Sequence, residues 1–493
     1  MNGTMMQYFH WYVADDGSFW NTVKDDAKHL SDIGINAVWL PPAHKGKEGA
    51  NANGYDVYDI YDLGEFDQKG SVRTKFGTKE AFKSAVQALH DHGIQVYVDI
   101  VLNHMAGADE IERIQVIRVN EEDRNEFISE SFDIDAFTKF TFPGRAGKHS
   151  SFIWDYRCFS GVDYAHDLEE TALFSIVNDY GLGWEDVIDT EKGNYDFLMF
   201  CDVEFRNPAV REELKKYGEW YINEIGFDGV RLDAVKHIAP QFYVEWLDHM
   251  RSIKPDLFAV GEYWAPGNLP LMLKYIEATG GRMSVFDASL HHNFYAASNG
   301  GNDYDLALIL NDTLVQAKPE LAVTVVDNHD TQPLQSLEAT VEAWFKPLAY
   351  AITLLRDQGY PCIFYPDFYG AHYVDKGSDG NEHEIFLDKC DAIEGLMKAR
   401  KEYAYGLQRD YFDHANCIGW TREGDEENQG SGCAVLLSNG DNGQKQMEIG
   451  KPHAGKTFID LLGKNSTEIL INEEGWAEFY VNAGSVSVWV EKK

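Results

Sequence analysis

Acidic side chains close three of the short apolar runs in this sequence. Asp233 ends GFDGVRLD, Glu262 lies in AVGEYW, and Asp330 ends VTVVDNHD. A single Asp after a strand usually caps the next helix. Three carboxylates that each have Arg, His or Trp within three residues are poorly explained as three helix caps. Three such carboxylates instead indicate a catalytic site, in which one carboxylate attacks as a nucleophile and another carboxyl group donates a proton.

Two neighbours of these carboxylates make that interpretation more specific. Arg231 lies two residues before Asp233 and would point to the same side of a strand, where it stabilises a carboxylate nucleophile. Glu262 is followed by Tyr263 and Trp264, apolar surroundings that raise the pKa of a carboxyl group. A nucleophilic carboxylate beside a protonated carboxyl group suits the cleavage of a glycosidic bond.

The elements that must position these groups alternate between short apolar runs and longer segments of helical periodicity. The apolar runs are Met5–Trp11, Ala37–Leu40, Gln95–Leu102, Gly229–Leu232, Phe258–Gly261, Ser284–Phe286, Ala322–Val326 and Pro361–Tyr365. The helix candidates are Thr22–Ile33, Thr78–His92, Pro208–Ile225, Gln241–Ile253, Leu271–Ala278, Tyr304–Gln316 and Glu342–Arg356. This alternation predicts an α/β fold with a (β/α)8 barrel, whose active sites lie at the C-terminal strand ends. A doubly wound sheet is the rival, but no GxGxxG follows any of the strands.

Two regions interrupt the alternation and predict a three-part chain. Residues 104–206 are too long for an ordinary connection, so we expect a domain inserted after the third strand. Residues 401–493 change to short alternating strands separated by turns such as NGDNG, which predicts a C-terminal all-β domain of Greek-key type. The barrel then comprises residues 1–103 and 207–400.

Composition excludes several classes of partner. The chain has 81 Asp plus Glu against 43 Lys plus Arg, a formal net charge of -38, which argues against nucleic acid and anionic membranes. No apolar run is long enough to span a bilayer, and the six cysteines are scattered without CxxC spacing. The N-terminus shows no secretory signal, so we expect a cytoplasmic protein, and we expect a monomer.

The polar strand ends carry motifs that occur together in a known family. They read DIVLNH (99–104), GFDGVRLDAVKHI (226–238), VGEYW (260–264) and VVDNHD (325–330). With these motifs the sequence resembles the alpha-amylase family, glycoside hydrolase family thirteen, and within it the bacterial liquefying and cytoplasmic enzymes. The resemblance runs from the first strand to the last and covers essentially the whole chain.

The resemblance implies a retaining hydrolase of α-1,4-glucans and assigns roles to individual residues. Asp233 matches the nucleophile, Glu262 the general acid/base, and Asp330 the carboxylate that orients the sugar. Arg231 matches the residue that orients the nucleophile. The residues that match substrate contacts are Gln7, Tyr55, His104, Arg231, Lys236, His237, Trp264 and His329.

The resemblance also implies one structural calcium ion between the barrel and the inserted domain. Its ligands map to Asn103, Asp196, Asp202 and the carbonyl of His237, oxygen donors that suit Ca2+. Secreted relatives carry further metal sites, and there this sequence departs from them. The departures are Ser160, Glu185, Glu204, Arg206, Ala415, Asn416 and Asn439. We therefore expect a single calcium ion.

Three functions remain to be separated at this point. The leading interpretation is an endo-acting alpha-amylase for starch, glycogen or maltodextrins. A maltooligosaccharide-forming, transglycosylating or debranching enzyme would share the same core motifs. A barrel kept only as a binding module would be expected to have lost a carboxylate, whereas Asp233, Glu262 and Asp330 are all present.

Overall fold

A closed barrel of eight parallel strands forms the centre of the molecule. The computed structural model describes residues 2–492. The barrel strands, in chain order, are Met5–Gln7, Ala37–Leu40, Gln95–Ile100, Gly229–Leu232, Phe258–Gly261, Ser284–Phe286, Ala322–Val325 and Tyr360–Phe364. Each strand pairs with its neighbours in sequence, and the first closes on the eighth. The predicted (β/α)8 barrel is thus confirmed, and the doubly wound alternative is excluded.

Helices surround the barrel and connect most of its strands. Within residues 2–492 the α-helices are Phe19–Ile33, Lys79–Asp91, Pro208–Ile225, Pro240–Ile253, Leu269–Ala278, Ala288–Gly300, Leu314–Ala317, Lys346–Leu355, Tyr365–Tyr369 and Ala392–Glu402. None of the described helices is both long and apolar enough to cross a bilayer.

One helix prediction is wrong. The segment 304–316 contains only a 3-10 turn, Leu306–Leu308, and the start of the short helix Leu314–Ala317. The chain cannot continue as one helix because Asp312 has a φ of 54°. The Thr313 side chain then accepts a hydrogen bond from the Gln316 N–H and caps a new helix.

Two capping residues fix the ends of the helix that precedes the strand of the predicted nucleophile. Asn207 caps helix Pro208–Ile225 by accepting a hydrogen bond from the Ala209 N–H at 2.9 Å. Gly226 ends that helix with a φ of 78°, a left-handed conformation that glycine adopts without strain. Barrel strand four begins three residues later, so the end of the helix fixes where Asp233 leaves the barrel.

An antiparallel sheet is inserted between barrel strand three and helix Pro208–Ile225. Its six strands, in spatial order, are His104–Met105, Cys201–Val203, Phe159–Ala165, Glu170–Ile176, Glu110–Arg118 and Phe132–Lys139. The strands at the start and end of the insertion, His104–Met105 and Cys201–Val203, pair with each other. The insertion therefore leaves and rejoins the barrel at one place.

The C-terminal region is all-β, as predicted. Its larger sheet has the spatial order Gln408–Tyr411, Cys417–Arg422, Cys433–Ser438, Ser485–Glu491, Thr457–Asp460 and Ile469–Leu470. A second sheet pairs Gly443–Glu448 with Trp476–Val481. Two further hairpins, Lys45–Gly46 with Val57–Asp59 and Ala371–Lys376 with Glu382–Leu387, lie in the connections of the barrel.

Candidate active site

Arg231 connects two of the three predicted catalytic carboxylates. Its guanidinium Nη1 donates to Asp233 Oδ1 at 2.6 Å, and its Nη2 donates to Glu262 Oε2 at 2.7 Å. The Arg231 side chain is only 1% exposed, so both ion pairs lie in a largely water-free environment. Because one guanidinium group contacts both carboxylates, they lie close together at the C-terminal rim of the barrel.

Asp99 is a third carboxylate that binds Arg231. Its buried carboxylate accepts hydrogen bonds from Arg231 Nη1 at 2.9 Å, Trp39 Nε1 at 2.9 Å and the Tyr55 hydroxyl at 2.8 Å. Burial raises the pKa of Asp99 to about 6, with Arg231 opposing that shift. The sequence showed Asp99 only as a polar residue in DIVLNH. Its pairing with Arg231 follows from the register of strands three and four.

Glu262 has the electrostatic character of a general acid. Burial raises the pKa of its carboxyl group to about 7, Arg231 lowers it, and the charge of Asp233 raises it further. The Ala234 N–H donates to Glu262 Oε2 at 3.1 Å. Ala234 has a φ of 48°, and this left-handed conformation of a non-glycine residue lies immediately after the predicted nucleophile.

Asp330 and His329 follow barrel strand seven and face the same cleft. Burial and the charge of Glu262 raise the pKa of Asp330 well above its usual range. Gln7 Nε2 donates to His329 Nδ1 at 2.9 Å, so the ring proton lies on Nε2, which is 3.3 Å from Asp330 Oδ2. Gln7 is 1% exposed. It therefore contacts the cleft through His329.

Two further histidines line the cleft, and each donates one ring N–H to a backbone carbonyl. His104 Nε2–H donates to the Tyr55 carbonyl at 2.7 Å, which leaves Nδ1 as a buried acceptor without a partner within residues 2–492. His237 Nδ1–H donates to the Tyr195 carbonyl at 2.6 Å. Burial lowers the pKa of both rings, to about 3 for His237, so both are neutral near pH 7.

Aromatic rings form one wall of the cleft. Trp11 lies parallel to Tyr55 at a centroid distance of 5.6 Å, and Tyr55 lies parallel to His329 at 5.1 Å. Flat, apolar ring faces of this kind pack against the faces of sugar rings. Trp264 lines the same cleft, whose volume is about 460 Å³.

Most of the predicted substrate residues line this cleft, while others are buried behind it. Tyr55, His104, Lys236, His237, Trp264 and His329 are in its lining, whereas Gln7 and Arg231 are not. The sequence assigned no role to the lining residues Trp11, Tyr195, Leu198, Met199, Gln335, Ser336 and Leu337. Only Trp11, in the aromatic run YFHWY, carried a recognisable signal.

Lys236 ties the barrel rim to the inserted region. Its Nζ lies 3.2 Å from Asp189 Oδ2 and 4.6 Å from the centroid of the Tyr195 ring. A cation over an aromatic face and beside a carboxylate is held in a fixed position. The cleft is therefore enclosed from both sides, by the barrel and by the segment that precedes helix Pro208–Ile225.

The residues that could hold a cation lie beside the cleft. Asn103, Asp196 and Asp202 are each at most 2% exposed. Asn103 Nδ2 is 3.4 Å from Asp202 Oδ1, while Asn103 Oδ1 is buried and has no hydrogen-bond partner within residues 2–492. Burial and neighbouring carboxylates raise the pKa values of Asp196 and Asp202. Asp196 accepts a hydrogen bond from the Glu185 N–H and Asp202 one from the Ser160 hydroxyl, but neither forms an ion pair within residues 2–492. An orphaned amide oxygen next to two such buried carboxylates fits an oxygen-liganded cation such as Ca2+.

The chemistry available in this cleft is that of a glycoside hydrolase of the retaining class. The comparisons with known proteins agree. A family model described as the alpha amylase catalytic domain matches residues 15–423, and one described as the alpha-amylase C-terminal domain matches residues 433–490. The chain belongs to the alpha-amylase family. It is an enzyme with the activity of that family, hydrolysis of internal α-1,4-glucosidic bonds, and its substrate is an α-glucan.

Individual relatives match over nearly the full chain. An alpha-amylase of Geobacillus stearothermophilus is 49% identical over 100% of this chain and 87% of its own length. The cytoplasmic alpha-amylase of Escherichia coli K12 is 48% identical over 99% of both chains. A glucan 1,4-alpha-maltohexaosidase of Bacillus sp. 707 is 46% identical over 100% of this chain and 93% of its own length.

Proposed function

We propose that Asp233 is the nucleophile and Glu262 the general acid/base of a double displacement. Glu262 gives its proton to the glycosidic oxygen while Asp233 bonds to the anomeric carbon, and the carbon–oxygen bond to the leaving sugar breaks. Glu262 then takes a proton from water, whose oxygen attacks the same carbon and releases Asp233. The contact of both carboxylates with Arg231 is the observation that supports this assignment best.

The remaining cleft residues bind and orient the sugar in this proposal. Asp330, whose pKa is raised by burial and by the charge of Glu262, forms hydrogen bonds with sugar hydroxyls. His104 Nδ1 accepts from a hydroxyl, because its Nε2–H is already bound to the Tyr55 carbonyl. Tyr55 and Trp264 pack against sugar faces, while Lys236 and the free Nε2 of His237 contact the leaving-group side. Gln7 acts through His329.

A time course of products shows whether cleavage is random along the chain or releases one preferred oligosaccharide. The alternative, release of one short oligosaccharide, is favoured by the similarity to the maltohexaosidase. On amylose, we expect iodine binding to fall before much reducing sugar appears, with a mixture of oligosaccharides. Early and dominant accumulation of a single maltooligosaccharide would contradict random internal cleavage and support the alternative.

The pKa of Glu262 predicts the alkaline limit of activity. Burial raises that pKa to about 7, so the carboxyl group is protonated below pH 7 and loses its proton above it. Since the acid form must donate a proton to the leaving oxygen, we expect kcat/KM to fall tenfold per pH unit well above pH 7. The pH profile of kcat/KM on a maltooligosaccharide measures this. A flat profile up to pH 9 would contradict the role of Glu262.

We propose that one calcium ion is held by Asn103, Asp196, Asp202 and the His237 carbonyl. Within residues 2–492 no three His, Cys, Asp or Glu side chains form a metal-binding group, so this set depends on the amide and the carbonyl. The orphaned Asn103 Oδ1 supports it. Bound there, the ion would neutralise the two carboxylates and join the inserted region to the barrel next to the cleft.

The positions at which this chain departs from secreted relatives support a single ion. The Arg206 guanidinium is bidentate to Glu204, at 2.7 and 2.6 Å, so this acid is already neutralised. In the C-terminal region, Asn439 Nδ2 donates to the carbonyls of Gly301 and Tyr304, both at 2.8 Å. Both carbonyl oxygens therefore already accept a hydrogen bond from an amide, which is where a second cation would have needed them as ligands.

Removal of the ion should lower thermal stability. At a calcium concentration 100 times Kd, binding adds about 2.7 kcal/mol. The entropy of unfolding of a 493-residue chain is about 1 kcal/mol/K, so excess chelator should lower the Tm by roughly 3 °C. Asp202→Asn should abolish the response to calcium, whereas Asp163→Asn, in the same inserted sheet, should keep it. A Tm unchanged by chelator, in protein found by elemental analysis to contain no calcium, would contradict the site.

We propose a cytoplasmic location and a monomeric state for the enzyme. The Escherichia coli relative named as cytoplasmic supports the location. The substrate would then be an intracellular glucan such as glycogen or a maltodextrin. Cell fractionation tests the location and light scattering tests the monomer. Activity confined to the medium, or a particle twice the mass of the chain, would contradict them.

A further inference from the structure

Lys75 is a buried lysine that has no carboxylate partner. It lies in the connection after barrel strand two and is 7% exposed. Within residues 2–492 its Nζ forms no ion pair and donates instead to Asn53 Oδ1 at 2.6 Å, with the Trp11 carbonyl oxygen 3.5 Å away. Burial lowers the pKa of this amine to about 8. A desolvated ammonium group without a counter-charge lowers the stability of a fold, so a different role must account for Lys75.

The groups around the Lys75 ammonium belong to the aromatic wall of the catalytic cleft. The carbonyl oxygen is that of Trp11 itself, and Asn53 lies two residues before Tyr55. The rings of Trp11 and Tyr55 lie parallel, with an interplanar angle of 10°. One ammonium group therefore connects the backbone that carries the first ring with the segment that carries the second.

The segment that carries Tyr55 depends on side chains for its position. Asn53, Gly54 and Tyr55 form no hydrogen bond between backbone groups within residues 2–492. Lys75 holds the first of them through its side chain, and His44 Nε2–H donates to the Gly54 carbonyl at 2.7 Å. A segment without backbone hydrogen bonds moves at low cost, so the loss of one such contact should let the Tyr55 ring shift.

We propose that Lys75 is a positioning residue that keeps the Tyr55 ring parallel to Trp11 and ready to pack against the sugar. The inference rests on the proposed function, since it takes Tyr55 to be a sugar contact. A wall that is ordered before the substrate arrives loses less side-chain freedom on binding. Substrate affinity, rather than the stability of the fold, is then what the buried ammonium group supports.

Lys75→Met separates a positioning role from a structural one, because it removes the charge and the donor but keeps the length of the side chain. We expect KM for maltoheptaose to rise about three- to tenfold with kcat within about twofold, the effect of a weakened aromatic contact. The Tm should stay equal or rise, because a desolvated charge is removed. The matched control is Lys83→Met, an exposed lysine paired with Glu224 at 3.0 Å, which should change neither quantity. A wild-type KM in Lys75→Met, with or without a lower Tm, would overturn the proposal.

A double-mutant cycle shows whether Lys75 acts through Tyr55. In a Tyr55→Ala enzyme, Lys75→Met should raise KM by less than about twofold, because the ring that Lys75 positions is gone. A rise as large as in the wild-type background would overturn the proposal. A wild-type KM in Tyr55→Ala alone would instead overturn the proposed sugar contact of Tyr55.

Substitutions at Asn53 test the same contact with Lys75 left in place. Asn53→Ala removes the acceptor from a half-buried position and should raise KM to the same extent as Lys75→Met. Asn53→Asp keeps an acceptor there and gives the ammonium group a counter-charge, so we expect a wild-type KM and a higher Tm. A KM raised as much in Asn53→Asp as in Asn53→Ala would overturn the proposal, because the contact would have been kept.

Discussion

Asp233→Asn should lower kcat on amylose by about 10⁴-fold or more, with little change in KM. The amide keeps the shape of the side chain and its place beside Arg231, but it cannot form the covalent bond to the anomeric carbon. The loss should be equally large on a maltosyl fluoride, because a good leaving group does not replace a missing nucleophile. Initial rates on both substrates measure this effect.

The same barrel strand offers a control for Asp233. Asp228 precedes strand four at its opposite end, where it accepts a hydrogen bond from the Val96 N–H at 3.0 Å. Asp228→Asn should therefore leave turnover within about twofold of the wild type, because it changes a carboxylate far from the rim. Substantial turnover by Asp233→Asn, in protein whose Tm matches the wild type, would exclude Asp233 as the nucleophile.

Glu262→Gln should lower kcat on amylose by about 10²–10⁴-fold, the range of a general acid–base contribution. Here the choice of substrate separates the roles of the two carboxylates. Fluoride leaves without protonation, so the first step on maltosyl fluoride should proceed near the wild-type rate. Only the second step, in which Glu262 takes a proton from water, should remain slow. A burst of fluoride followed by slow turnover is the expected signature.

Asp256→Asn provides the control for Glu262, because Asp256 is an exposed residue just before barrel strand five. It should change neither the burst nor the steady rate. A Glu262→Gln enzyme that loses the burst on maltosyl fluoride to the same extent as activity on amylose would contradict a proton-donor role. In that case Glu262 would instead be needed to hold Arg231 and Asp233 in place.

Much of the fold could be predicted from the sequence because the barrel depends on local patterns. Short apolar runs and glycine helix ends indicated all eight strands, including Gly229–Leu232 and Phe258–Gly261 with their observed bounds. The failure at residues 304–316 has a local cause in Asp312 and Thr313, whose backbone and cap divide the segment. Helical periodicity alone does not show where a backbone turn and a new cap divide a helix.

The site was predictable where a residue's role follows from its own motif. Asp233, Glu262 and Asp330 each lie in a recognisable strand end, and the structure brings them to one cleft. The role of Asp99 was not predictable, because it depends on the register between strands three and four. The parallel packing of Trp11 against Tyr55 and the position of Gln7 behind His329 likewise arise from packing across the barrel.

The most direct test of the double displacement is to trap the covalent intermediate. A maltosyl fluoride with fluorine at the 2-position of the reacting sugar should slow the second step and leave the sugar on the enzyme. Mass spectrometry of a digest should then locate one glycosyl ester on the peptide that contains Asp233. A glycosyl group on another carboxylate, or products formed with inversion and no adduct, would contradict the mechanism.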